Sequence, residues 1–306
     1  MEFAPIILTI AGLILFETVS SIDNAIINAE VLSTMGHRAR RWFLTWGLLF
    51  AVLMVRGLLP WAIVWTVSPN LGAVGALTAT FSNNPTVLHA IELSAPILLV
   101  GGGVFLIFLF FHWLFLETKN YGLKGERFIH SQGVWFYAVV SIILSAVVWI
   151  SLHKDPLMAF SAVVGSTAFF IIHGFRQNAE REEEKLIDSA RSDLSKIFYL
   201  EIIDATFSID GVLGAFAFTL AVPLILLGNG VGALVVRQLT LSNIDRVKKY
   251  IYLKNGAMYS VLILGLIMLF NSFGGGIPEW ITPLSTFFVV GYFFFKSRTV
   301  ATSLNS

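Results

Sequence analysis

Apolar residues in this chain fall into long blocks separated by short polar segments. A membrane-spanning helix needs ~20 mostly apolar residues. Stretches of that kind run over 5–33, 42–68, 89–116, 133–152, 156–175, 197–220, 222–241, 251–271 and 281–296, which predicts nine spans. Between the sixth and seventh only Leu220-Ala221-Val222-Pro223 intervenes, so that turn is tight. The one sizeable polar segment, Gln177 to Lys196, carries Glu180, Glu182, Glu183, Glu184, Asp188 and Asp193 with four basic residues among them. It reads as a solvated helix joining two halves.

Composition turns this pattern into a class. Hydrophobic residues make up 56% of the 306 residues, mean hydropathy is +0.80 and charged residues are only 13%, about half of the ~25% usual in soluble domains. The expected fold is an all-α polytopic membrane protein, and a soluble enzyme or a nucleic-acid binder is excluded. A net charge of +1 says nothing about partners. The absence of cysteine excludes disulfides, thiolate metal sites and cysteine nucleophiles. The start, Met1-Glu2-Phe3-Ala4-Pro5, lacks the basic region of a cleavable signal, so the first apolar run is expected to stay in the protein.

Positive charge predicts orientation. Arg38, Arg40 and Arg41 follow the first span, Lys119, Lys124 and Arg127 the third, Arg176 to Lys196 the fifth, Arg246 to Lys254 the seventh, and Lys296 and Arg298 the ninth. The alternate loops hold only Lys154. This predicts the N-terminus outside and the C-terminus in the cytoplasm.

Two segments repeat. Glu17-Thr18-Val19-Ser20-Ser21-Ile22-Asp23-Asn24 and Asp204-Ala205-Thr206-Phe207-Ser208-Ile209-Asp210-Gly211 both read acid, three residues, Ser, Ile, Asp. One lies in the first span of spans one to three, the other in the first of spans six to eight, and the charge rule gives those triplets opposite topology. Inverted repeats with polar sites near the midplane are a recurring transporter plan. The predicted organisation is a first three-helix repeat (1–116), two linking helices with the charged segment (117–196), and a second repeat with a C-terminal helix (197–306).

Charge at the bilayer centre costs ~2.5–3.5 kcal/mol on insertion scales. Glu17, Asp23, Glu92, Glu201, Asp204 and Asp210 all fall inside predicted spans, against Arg56. On this count they cannot all be paired internally, which points to protons or bound cations. On a helix, Glu17, Ser21, Asn24 and Asn28 form one stripe, and Glu201, Asp204, Ser208 and Gly211 form a matching one. Asp23 and Asp210 stand ~100° away in an ideal helix; unwinding at Ser21-Ile22 and Ser208-Ile209 would bring them in. The expected donors are all oxygen, which suits Mg²⁺, Ca²⁺ or Mn²⁺. Arg56 is expected to neutralise one of the acids, and His112 and His173 to be interfacial. Gly101-Gly102-Gly103 and Gly228, Gly230 and Gly232 read as helix-packing positions.

At these residues the sequence resembles the TerC family of integral membrane proteins. The resemblance rests on Glu17, Ser21, Asp23 and Asn24, then on Glu201, Asp204, Phe207, Ser208 and Asp210, with Asn229, Arg237 and Tyr252-Leu253-Lys254-Asn255-Gly256 in support. It covers about half the chain. Where the family often has Ser after the second motif aspartate, this chain has Gly211. The resemblance implies export of divalent cations, chiefly Mn²⁺, across a bacterial inner membrane.

The expected function is therefore secondary transport of a divalent cation, without enzymatic activity and with no resident cofactor. Asp23 and Asp210 are the expected central ligands, supported by Glu17, Asp204, Asn24, Ser21 and Ser208, with Glu201 and Glu92 ranked second. The expected partners are the metal ion, the lipid bilayer and a coupling proton or Na⁺. The alternatives are a metal sensor or scaffold without flux, and a membrane-embedded metal-dependent hydrolase or transferase.

Overall fold

A computed structural model describes the backbone of residues 3–47, 50–78, 85–188, 192–242 and 249–303. Every regular element in it is helical. In chain order these are α1 (Phe3–Ser20), α2 (Ile22–Ser33), α3 (His37–Trp42), two π-helical stretches (Phe43–Gly47 and Ala51–Leu58), α4 (Leu59–Val67), α5 (Gly72–Thr78), α6 (Pro85–Leu116), α7 (Glu126–Ser131), α8 (Phe136–Leu152), α9 (Pro156–Asp188), α10 (Asp193–Ala215), α11 (Val222–Ser242), α12 (Leu253–Ser272) and α13 (Ile281–Ser303), with short 3₁₀ turns between some of them.

Among the described residues, six helical segments are long and apolar enough to cross a membrane: Phe3–Ser20, Leu93–Leu116, Gly133–Leu152, Pro156–Asn178, Val222–Thr240 and Leu253–Ser272. They fit a multi-pass membrane protein. The second predicted span is represented by the shorter apolar helix Met54–Val67. The sixth and ninth correspond to α10 and α13. Those helices are long, but Lys196, Glu201, Asp204 and Asp210 interrupt the first and Lys296 and Arg298 dilute the second.

The charged segment is not a separate linking helix. Its first part continues α9 as one 33-residue helix to Asp188, and its last part opens α10. Lys196 is buried there and donates to Thr34 Oγ1 at 2.8 Å, tying α10 to the end of α2.

The core is centred on α6, whose Val100, Val104, Phe105, Phe108 and Trp113 are buried among α8, α9, α10 and α12. Glycines set how closely these helices approach. A Cβ on Gly165 would lie 2.1 Å from the Gly101 carbonyl oxygen, and one on Gly102 2.5 Å from Met268. With lipid outside, no hydrophobic force drives helices together, so close van der Waals packing must do it, and small residues permit it. Large apolar side chains such as Ile142, Phe160 and Phe288 face outward at more than 60% exposure, as lipid contact requires. A buried carboxylate, Glu126, fastens the 117–135 connection by accepting from Gly122 N, Asn255 Nδ2 and Tyr259 OH at 2.7, 3.0 and 3.0 Å.

The Gly101–Gly165 approach makes a direct prediction. Gly165→Ala forces α6 and α9 apart and should lower stability by about 1–3 kcal/mol, measured as thermal unfolding in detergent. Gly174→Ala, with no neighbour within 4 Å of its Cβ position, should be neutral or mildly stabilising.

Candidate cation site

The junction of α1 and α2 at Ser21 is a slight kink. Ser21 has φ −90° and ψ 4°, yet its N–H still reaches Glu17 O at 3.1 Å and its carbonyl still accepts from Ala25 N at 2.9 Å. α10 runs through Ser208 and Ile209 without interruption. The expected unwinding is therefore absent. Without it the carboxylates remain on two faces of the α2–α10 pair, and each face lines its own cavity.

The first cavity, of about 50 Å³, is lined by Ser21, Asn24, Asn28, Gly47, Arg56, Glu201, Asp204 and Arg237 together with apolar groups. That is room for a few waters or an ion with part of its hydration shell. Glu17 lies behind it at 0% exposure. Its Oε1 accepts from Ser21 Oγ at 3.0 Å and from Arg56 Nε and Nη2 at 2.9 and 2.7 Å. Arg56 Nη1 is 3.6 Å from Asp204 Oδ2, and Asn24 Nδ2 donates to Asp204 Oδ1 at 2.5 Å. Several buried acceptors have no hydrogen-bond partner among the described residues: both oxygens of Glu201, Oδ1 of Asn24 and Oδ1 of Asn28. All three residues line this cavity. Buried acceptors in this state are costly unless something donates to them or binds them.

Two glycines make room for these carboxylates. A Cβ on Gly47 would lie 2.0 Å from Glu201 Oε1, and one on Gly211 2.5 Å from Glu17 Oε2. Gly211 thus lets Glu17 approach α10 closely.

The second cavity is larger, about 500 Å³, and both motif aspartates line it. Each has a cation. Arg176 Nη2 is 2.5 Å from Asp210 Oδ2, with its guanidinium 4.2 Å over the Phe207 ring. Lys254 Nζ bridges Asp23 Oδ2 at 2.7 Å and Glu117 Oε2 at 2.8 Å. Lys119 lines the same cavity and caps α6 through the Trp113 and Leu114 carbonyls at 2.5 and 2.6 Å; burial pushes its amine down to about 8. Asp23, Asp210 and Glu117 are thus matched by Arg176, Lys254 and Lys119. Arg56 is not the only cation available to the buried acids.

A family model described as "Protein of unknown function (DUF475)" matches residues 22–302. The chain belongs to this DUF475 family. No curated protein and no solved structure matches it.

For this DUF475 chain, the structure gathers five of the nine expected site residues at the first cavity: Ser21, Asn24, Asp204 and Glu201 line it, and Glu17 backs it. Asp23 and Asp210, expected at its centre, lie in the second. Ser208 is buried, but its hydroxyl bonds its own helix at Asp204 O, 2.6 Å away. The Glu92 side chain lies outside the described residues. His112 is buried in the protein, with its ring centroid 3.8 Å from that of His173 and its Nδ1 3.4 Å from Glu117 Oε1. Among the described residues, no group of three or more His, Asp or Glu side chains is arranged to hold a metal. The sequence reading missed Glu117, Lys254 and Arg176 as site residues.

Glu117, just past the end of α6, carries a pH prediction. Burial alone would raise its carboxyl, but the His112 ring 3.4 Å away and the charge of Lys254 outweigh it and hold the group well below the usual carboxylate range. A depressed carboxyl contributes stability above its unfolded pKa and loses it as pH falls through the folded value. Glu117→Gln should therefore cost roughly 1.5–3 kcal/mol at pH 7, and the gap to wild type should narrow below about pH 4. An equal gap at pH 7 and pH 3 in detergent melts would contradict the assignment.

Proposed function

We propose that this protein is a secondary transporter that moves a divalent cation, Mn²⁺ or a similar hard ion, out of the cell. The observation that carries the reading is the surplus of buried, unpartnered oxygen acceptors around the first cavity: Glu201, Asn24 and Asn28. Hard divalent cations take carboxylate, amide and water oxygens, and Mg²⁺-like ions are commonly held by one or two carboxylates with several waters retained. Glu201 and Asp204 would be the two carboxylates, Asn24 and Asn28 the amide ligands, and water would complete the shell. This set shares Glu201, Asp204 and Asn24 with the ligands expected from the sequence. It moves Asp23 and Asp210 from direct ligation to the ion pairs of the second cavity.

The TerC resemblance supports the same reading. So does the placement of the duplicated motif, since the α1–α2 junction and α10 carry its two copies and Asn24 of one bonds Asp204 of the other at 2.5 Å. In the full reading the chain crosses a bacterial inner membrane nine times, N-terminus outside and C-terminus inside. Two inverted three-helix groups, within 1–116 and 197–306, enclose the ion. A proton or Na⁺ drives release, and no covalent chemistry takes place.

The test is Mn²⁺ flux into inside-out proteoliposomes, with Mg²⁺ and Ca²⁺ as competitors. Glu201→Gln and Asp204→Asn should each reduce flux at least ~tenfold, equivalent to ~1.4 kcal/mol or more. Asp23→Asn should act mainly on stability. No flux of any of the three ions by folded wild type rejects transport in favour of a sensor or scaffold. Full flux in Glu201→Gln relocates the site.

A further inference from the structure

Arg56 is 3% exposed and stands between two carboxylates contributed by different helices. Nε and Nη2 both donate to a single oxygen, Glu17 Oε1, while Glu17 Oε2 and Arg56 Nη1 are left without a hydrogen bond. A guanidinium that is permanently seated on a carboxylate normally uses two parallel bonds to two oxygens. This pair forgoes that geometry. The guanidinium also borders the cavity in which Asn24, itself 3% exposed, turns an unpartnered Oδ1. A positive charge therefore already occupies one wall of a cavity whose remaining donors suit a cation.

The segment carrying Arg56 departs from α-helical geometry. Ala51–Leu58 is π-helical, a wide and rare form that occurs mostly as single turns at functional sites. Conversion to α-helix changes the register by about one residue, which turns a side chain by ~100° about the helix axis. Such a turn carries Arg56 off Glu17.

Charge gives the exchange its specificity. Glu17, Asp204 and Glu201 supply three negative charges around the cavity, and Arg56 and Arg237 supply two positive ones. With Arg56 withdrawn, three carboxylates face Arg237 alone, a net double negative charge that one divalent ion neutralises.

We propose that Arg56 is a tethered counter-cation, holding the site's charge when no metal is bound and vacating it when a divalent cation enters between Glu201, Asp204 and Asn24. The proposal rests on the cation-binding part of the reading above, and extends it by naming what the metal displaces.

The experiment is thermal stabilisation of purified protein in detergent by Mn²⁺, with Mg²⁺ in parallel. Removing the resident charge should lower the Mn²⁺ concentration at half-stabilisation at least ~tenfold in Arg56→Ala relative to wild type. Arg56→Lys keeps a charge and should stay within roughly threefold of wild type. Adding Glu201→Gln to Arg56→Ala should abolish the gain, and millimolar guanidinium should compete with Mn²⁺ in Arg56→Ala. Arg56→Gln, neutral but still a hydrogen-bond donor, replaces Arg56→Ala if that variant does not fold. An unchanged or weaker Mn²⁺ response in the folded neutral variant overturns the proposal, as does a gain that survives Glu201→Gln. The two readings can fail separately. Stabilisation of Arg56→Ala by Mn²⁺ without flux in wild type keeps the counter-cation and rejects transport. Flux in wild type with no change in Arg56→Ala does the reverse.

Discussion

Everything polar in this molecule follows from the cost of an ionised carboxylate away from water. An isolated buried carboxylate is strongly disfavoured, so each must find a cation, a set of donors or a proton. Glu17 has Arg56 and Ser21, Asp210 has Arg176, and Asp23 and Glu117 share Lys254. Those pairings fix how α1, α2, α6, α9, α10 and α12 stand against one another. Among the described residues Glu201 is the exception, with neither oxygen bonded, and the exception marks the site.

The two cavities differ in charge rather than in composition. Both hold carboxylates, and both border the α2–α10 pair. The larger one is balanced in charge, three acids against three bases, so no excess charge there calls for a ligand. The smaller one retains an excess of acceptors. Breaking a buried ion pair by removing one partner commonly costs several kcal/mol. The balanced cavity is therefore best understood as a fastening between helices, and the unbalanced one as a place for an ion.

Much of this was legible in the sequence. The apolar blocks located nearly every long helix, because a ~20-residue apolar run has few alternatives in a chain this hydrophobic. The i, i+4, i+7 spacing of Glu17, Ser21 and Asn24 put them on one face, where they are found. The partners of Asp23 and Asp210 were less visible. Arg176 and Lys254 sit at the ends of apolar runs, where the positive-inside rule accounts for them without further role. Only the antiparallel register of α9 and α10 sets Arg176 beside Phe207 and Asp210. That register requires knowing that the charged segment extends those two helices, and its polarity pointed to a solvated connector instead. Unwinding at Ser208–Ile209 would serve only to gather all the acids at one point. Once two cavities exist, that reason disappears, and α10 keeps its hydrogen-bond ladder.

The length of α9 has a mechanical meaning. At 1.5 Å per residue its 33 residues form a rod of about 50 Å, against a hydrocarbon layer of ~30 Å. The rod is clamped near Gly165 by backbone contact with α6 and again at Arg176 by Asp210. The twelve residues from Gln177 to Asp188 extend beyond the second clamp by ~18 Å. The rod is therefore longer than the apolar layer, and the acidic stretch 180–188 leaves that layer as a direct continuation of the helix held at Gly165 and Arg176, not as a separate tether.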